Sequence, residues 1–276
     1  MLPDPDTHAP VDILRTEAVS KTFRPKGQPV TTALDAVSFS VRPGGVAALV
    51  GPDGSGKTTL LRIIAGLMQA DSGRVVLAGG ADDARGAGAA ASDIIGYMPQ
   101  KFGLYEDLTV QENLDLYADL RGLAEIEREK RYRELLAMAG LSPFRERLAG
   151  KLSGGMKQKL GLICTLVSPP KLLLLDEPTV GVDPLSRREL WQMIESFTAH
   201  SGMSVVVSTS YMDEAARCDE VVLLFEGKTL ARGTPESIRS RSDGMAHVVS
   251  PAAGDTPRSL QARLLDAPGV VDAVPP

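Results

Sequence analysis

The apolar positions of this chain follow two periods. Val46–Val50, Leu172–Leu175 and Val205–Val207 are short, continuous apolar runs. Runs of this kind predict strands buried on both faces. Ile94–Met98 and Val221–Phe225 predict two more strands, the second followed by a turn at Glu226–Gly227. Helical spacing marks Thr58–Gly66, the stretch from Thr109 to about Ala139, and Pro184 to about Ala199. In the longest of these, Leu114, Tyr117, Ala118 and Leu120 recur as one apolar stripe, and EIEREKRYRELL reads as a solvated charged face. Between Ile13 and Val41, short β-like pieces are separated by the turn residues Pro25, Gly27 and Pro29. Strands alternating with helices predict an α/β fold around a parallel sheet, interrupted by an inserted helical subdomain within 109–160.

The ends read differently. Residues 1–12 predict a disordered leader, and Gly79–Ala91 predicts a flexible surface loop. After Arg239, strand-like Ala246–Ser250, helix-like Ser259–Asp266 and strand-like Val270–Val274 predict an accessory βαβ-like segment over 241–276. It stops at Pro275–Pro276 as though unfinished, which raises the expectation of a longer chain.

Composition narrows the class. The chain has 276 residues, with 30 Lys and Arg against 35 Asp and Glu, for a formal charge of −5. That acidity gives no reason to expect nucleic acid or anionic lipid as a partner. No run reaches the roughly 18–20 apolar residues of a membrane-spanning helix. The N-terminus, MLPDPDTHAPVD, is acidic and Pro-rich, unlike a signal peptide. Cys164 and Cys218 make neither a disulfide framework nor a zinc spacing and are expected to pack as small apolar residues. These features predict a cytoplasmic chain that acts at a membrane only through a partner.

Three segments carry chemistry. Gly51-Pro-Asp-Gly-Ser-Gly56-Lys57-Thr58 has the P-loop spacing, with a strand before it and a helix after it. Gly51, Gly54 and Gly56 let amide N–H groups turn inward toward phosphate oxygens. The helix adds its N-terminal dipole, Lys57 a cation for the β- and γ-phosphates, and Thr58 a hydroxyl for Mg²⁺. Next, Leu172–Leu175 ends in Asp176 and Glu177. A carboxylate at the strand tip suits the Mg²⁺ shell, and the one after it suits the attacking water. Finally, Leu152-Ser153-Gly154-Gly155 opens a helix and offers a second amide-lined anion site.

With Gln100 between the P-loop and LSGG, and GVDP after LLLLDEP, the sequence resembles the ATP-binding cassette (ABC) ATPases over roughly 13–240. LSGGMKQKLGL, DEPTVGVDP and STSYMDEA look most like cassettes of drug exporters. The resemblance implies a P-loop cassette with a mixed core sheet, an N-terminal antiparallel β subdomain, and a helical subdomain over about 101–160. It implies that Phe23 stacks on adenine. Gly51, Pro52, Asp53, Gly54, Ser55, Gly56, Lys57, Thr58 and Thr59 would form the nucleotide loop. Gln100 would sense Mg²⁺ and the attacking water. Ser153, Gly154 and Gly155 would contact the γ-phosphate held by the opposite subunit. Asp176 would serve the metal, Glu177 would be the catalytic glutamate, and Asp183 would stand in the D-loop. ATP and Mg²⁺ are the implied cofactors. A second cassette and an integral membrane permease are the implied partners, at the cytoplasmic face of the membrane.

Two positions depart from the family pattern. Met156 replaces a peripheral Gln. Ser210 stands where the family has a histidine for the γ-phosphate, and His8, His200 and His247 do not match that position. Serine donates a hydrogen bond but carries no positive charge. The substitution predicts slow hydrolysis, or a structural role in an asymmetric pair. Lys101–Val110, with Phe102, Leu104 and Tyr105, is a candidate docking surface, packing into the helical subdomain being the alternative. Trp191 reads as a packing residue. Competing readings are a soluble ABC protein acting on ribosomes or DNA, and a regulatory cassette that barely hydrolyses.

Overall fold

The computed structural model describes residues 12–24, 27, 29–78, 94–101, 103–241, 249–252, 254–270 and 273–274. The chain divides into two compact units between Ile238 and Arg239.

In the first unit, two long strands replace the short pieces expected before Val41. They are β1 (Leu14–Phe23) and β2 (Thr31–Val41), which pair antiparallel. With β4 (Ser72–Leu77) they form a three-stranded sheet in the order β2-β1-β4. Register shifts along both β1 pairings break the alternation of the sequence, which is why it reads as fragments.

The second sheet has six strands. They are β3 (Val46–Val50), β5 (Ile95–Met98), β6 (Leu172–Asp176), β7 (Ser204–Thr209), β8 (Glu220–Phe225) and β9 (Lys228–Gly233). Their order is β5-β6-β7-β3-β8-β9, parallel except for the β8–β9 hairpin at one edge. The hairpin turns at Glu226 and Gly227, both with positive φ.

Each apolar run feeds two cores. Leu172 and Leu174 join Leu49, Val206, the helix α1 (Lys57–Ile64) and the three-stranded sheet in one cluster. Leu173 and Leu175 join Val50, Val205, Val207 and the helices of the other layer. This two-sided burial explains runs without polar alternation.

That other layer contains α2 (Val110–Leu120), α3 (Glu125–Ala139), α4 (Gly154–Thr165) and α5 (Pro184–Ser201). The single helix expected over Thr109–Ala139 is two helices. Gly122, at φ +65°, breaks it, and the first opens with a capping box between Thr109 and Glu112. The expected stripe is also shorter: Leu114 and Ala118 are buried, but Leu120 is exposed. Trp191 on α5 is buried in this layer. Cys164 and Cys218 are buried free thiols, and burial pushes the Cys218 thiol up to about 12. Two short helices, α6 (Met212–Ala215) and α7 (Pro235–Ser240), follow β7 and β9.

The second unit contains α8 (Pro257–Leu265), opened by a Thr256–Ser259 capping box. Gln261 Nε2 donates to Ala273 O at 2.7 Å. Most of Ala246–Ser250 and the middle of Val270–Val274 lie outside the described residues, as do the leader to Val11, Gly79–Ala91 and Phe102.

Candidate functional site

Four parallel strands end at one level. Val50 pairs with Thr209, Asp176 with Ser208, and Met98 with Leu175. The chain leaving those strands therefore delivers Gly51, Gln100, Glu177 and Ser210 along one edge. The carboxyl ends of parallel strands are where open α/β sheets bind ligands.

The loop after β3 is shaped by close approach. A Cβ on Gly51 would lie 2.2 Å from Leu224 O and 2.6 Å from Ser55 Oγ. A Cβ on Gly56 would lie 2.4 Å from Ala33 O, and φ there is +104°. Only glycine fits either place without moving backbone. Gly56 is the N-cap of α1 and supplies no side-chain cap. The first N–H groups of the helix are thus free to serve an anion. Behind the loop, Gly227 N donates to Ser55 O at 3.2 Å, so the β8–β9 turn forms its outer wall. Ser55 Oγ is buried without a hydrogen-bond partner among the described residues. Pro52, Asp53 and Gly54 are exposed at the tip, and Thr59 is half-buried on α1.

Lys57 curls into this loop and is 4% exposed. Its Nζ donates to Gly51 O at 2.8 Å and Pro52 O at 3.1 Å, and lies 3.1 Å from Glu177 Oε1. A buried ammonium needs such partners, since its desolvation costs several kcal/mol.

The two carboxylates have distinct partners. Asp176 Oδ1 accepts from Thr58 Oγ1 at 3.0 Å and from Ser208 Oγ at 2.7 Å. Its Oδ2 accepts from Tyr97 OH at 3.3 Å. Burial, and then the Asp176 charge, push the Tyr97 phenol up to about 12, so it stays a donor. Glu177 has φ +48°, a left-handed conformation that costs a side-chain-bearing residue about 1–2 kcal/mol. Its N–H donates to Ser208 Oγ at 2.9 Å and Ser208 O at 3.2 Å, which holds the turn. Its Oε2 accepts from Gln100 Nε2 at 2.7 Å. Both oxygens of Glu177 are thus spanned by Lys57 and Gln100.

The residues fit a polyphosphate with a hard divalent cation. A buried orphan hydroxyl, a lysine and an uncapped helix N-terminus suit the anion. Thr58 Oγ1 and Asp176 Oδ1 form an oxygen pair suited to Mg²⁺. Among the described residues no group of three or more His, Cys, Asp or Glu could hold a metal. A magnesium ion bound through one or two protein ligands plus phosphate and water needs no such group.

The remaining expected residues fall elsewhere. Phe23, at the end of β1, is 37% exposed and pairs with Thr31, two residues from the Ala33 that abuts Gly56. Lys21 Nζ stands 6.0 Å from its ring centroid. Ser153 caps α4 through Met156 N. A Cβ on Gly155 would lie 2.4 Å from Ser186 Cβ and 3.5 Å from Asp183 Oδ2, and one on Gly154 3.8 Å from Gly181 O. Asp183 in turn caps α5, accepting from Ser186 N at 3.0 Å. The Ser186 side chain first, and then this backbone bond, hold its carboxyl below the usual range. Gly154 and Gly155 are thus brought to the Gly181–Asp183 turn. Ser210 is exposed at the end of β7, between the P-loop strand and the Glu177 strand.

Ser208 and Tyr97 escaped the sequence reading. The signal for Ser208 was present: a serine follows Val205–Val207 where a two-sided apolar strand should continue.

The ABC transporter family matches residues 34–180, more than half of the chain. The probable multidrug ABC transporter ATP-binding protein YbhF of Escherichia coli (strain K12) is 49% identical over 263 residues, 95% of this chain. The chain spans 44% of that relative's length. The linearmycin resistance ATP-binding protein LnrL of Bacillus subtilis (strain 168) is 34% identical over 236 residues, covering 84% of this chain and 72% of the relative. A dimeric ATP-binding cassette in a post-hydrolysis state, bound to ADP and Pi, superposes with a TM-score of 0.71 at 27% identity, covering 80% of this chain and 98% of its own. Sequence, fold and the edge where Lys57, Thr58, Asp176 and Glu177 meet agree, and the chain belongs to the ABC transporter family of ATP-binding cassettes.

Proposed function

We propose that this chain binds and hydrolyses ATP to power an exporter whose translocation path lies in a partner permease. The observation that carries the reading is the placement of Glu177 against both Lys57 and Gln100 beside a phosphate loop. ATP phosphates compete with Glu177 and the loop carbonyls for Lys57. Glu177, released from Lys57, accepts the proton of the attacking water, and Gln100 orients that water. Thr58 and Asp176 would hold Mg²⁺, which supplies charge neutralisation at the phosphates when bound. Gly155 lies against Asp183, and a second cassette would bring its own LSGG to this P-loop. Likeness to a dimeric cassette supports that arrangement. Phe23, on the flank of the loop, stacks on the base. The cassette then works at the cytoplasmic face of a membrane. No helix among the described residues is long and apolar enough to cross one. The names of the relatives, multidrug and linearmycin resistance, favour an exported drug-like molecule.

Turnover by the purified chain tests the chemistry. Glu177→Gln should lower kcat roughly 100-fold or more, the range for loss of a general base, with nucleotide affinity retained. Equal turnover in both proteins rejects the proposal. A membrane protein that co-purifies with the native cassette tests the exporter role. A second reading, a slow or structural cassette in an asymmetric pair, rests on Ser210 at the γ-phosphate position.

A further inference from the structure

One buried carboxylate has no part in the chemistry above. Glu214, on α6, is 1% exposed. Its Oε1 accepts from Thr179 Oγ1 at 2.5 Å and its Oε2 from Thr209 Oγ1 at 2.6 Å. Thr179 lies two residues after Glu177. Thr209 is the last residue of β7 and immediately precedes Ser210. Thr209 Oγ1 also accepts from Tyr211 N at 3.0 Å, so its side chain closes a turn around Ser210. On the far side, Arg187 Nε stands 3.8 Å from Glu214 Oε1, too long for a hydrogen bond, and it has no hydrogen-bond partner among the described residues. The Arg187 guanidinium lies 4.2 Å from the Tyr211 ring centroid, and Arg187 N donates to Asp183 O at 2.9 Å.

We infer that Glu214 is a positioning residue that locks the turn after Glu177, the Ser210 turn and the helix behind Asp183 into one unit. The inference rests on the hydrolytic reading of the site. Both Glu214 oxygens accept from a hydroxyl, and this fixes the direction of the whole relay. Tyr211 N–H points to Thr209, and the hydroxyls of Thr209 and Thr179 both point to Glu214. A glutamine cannot repeat this. Its amide NH₂ would face one threonine oxygen; at Thr209 that oxygen already takes the Tyr211 N–H, and the hydroxyl proton would be left without an acceptor. Burying a carboxylate costs free energy that an apolar residue of the same size avoids. Glu214 is best explained by the geometry it imposes on Ser210, which must do by hydrogen bonding alone what a histidine does with charge.

The test is steady-state ATP turnover of the whole chain with a parallel titration of a non-hydrolysable nucleotide. Glu214→Gln should lower kcat about tenfold, the scale of one coupled polar contact, and leave KM and nucleotide affinity within about twofold. Adding Glu214→Gln to Ser210→Ala should cost no further rate, since the glutamate acts through that serine. Thr179→Val should reproduce the loss and Thr179→Ser should restore the rate, a contrast that keeps the test open if Glu214→Gln does not fold. Additive losses in the double variant, or equal kcat for Thr179→Val and Thr179→Ser, overturn the inference. If Glu177→Gln leaves wild-type turnover unchanged, the hydrolytic reading falls first and this inference with it. Glu177-dependent turnover that Glu214→Gln leaves intact removes this inference alone.

Discussion

Ser210 concentrates the chemistry at the residue scale. It stands at the end of β7 between the P-loop strand and the Glu177 strand, where, on the proposed hydrolytic reading, a cation would stabilise charge developing on a phosphate. Ser210→His should raise single-site turnover about tenfold, less than the roughly 100-fold or more of a fully preorganised donor; an unchanged rate would show that the position is not limiting. Lys57→Ala should do the reverse in two ways. It removes the proposed phosphate ligand, and it leaves Glu177 buried without its ammonium partner, destabilising the cassette by about 3 kcal/mol in denaturant unfolding. These residues were legible because P-loop chemistry needs fixed residue types at fixed spacing. Ser208 and Glu214 were not. Their role lies in which strand ends the fold sets side by side, and a lone serine or glutamate looks the same whether it is solvated or clamped.

Two helix N-termini meet at the scale of elements. Gly155 near the start of α4 packs on Ser186 near the start of α5, with space for a hydrogen and no more. Gly155→Ala should destabilise the cassette by about 1–3 kcal/mol through overpacking. Ser186→Gly should recover most of that loss when combined with it, as read from the shift in denaturant midpoint. No recovery would place the strain elsewhere. The SGG spacing showed a helix start in the sequence, but the partner of Gly155 could not be read from it. Element boundaries failed for a related reason. Gly122 sits in the middle of a helical pattern, and only the packing of Leu114 and Ala118 on one side and of Tyr132 and Leu136 on the other shows that two helices are needed. Strands β3, β6 and β7 were legible because two-sided burial writes an unbroken apolar run; β1 and β2 were not, because bulges shift their period.

On the proposed function, the whole molecule presents half of a site twice: the P-loop edge and the corner of Gly155 and Asp183 would each serve one nucleotide, and they are assembled by different elements. Glu177→Gln should therefore convert from monomer to dimer when ATP is added, as measured by light scattering, and Ser153→Arg should block the conversion without weakening nucleotide binding to the monomer. A chain that stays monomeric under both conditions counts against pairing of identical copies. The topology has another consequence, for synthesis rather than catalysis. The P-loop strand β3 lies between β7 and β8, which are made long after it. A ribosome that has released Gly51–Thr58 has not yet released either neighbour, nor the Gly227 that backs the loop. The nascent cassette must hold an apolar strand unpaired until Thr209 has emerged, and open along one edge until Phe225 has, the stage at which long-range parallel pairing is slow and prone to aggregation. Truncations ending before β8 should therefore be insoluble or unable to retain nucleotide, which makes ATP capture a report that the cassette has been translated to Gly227.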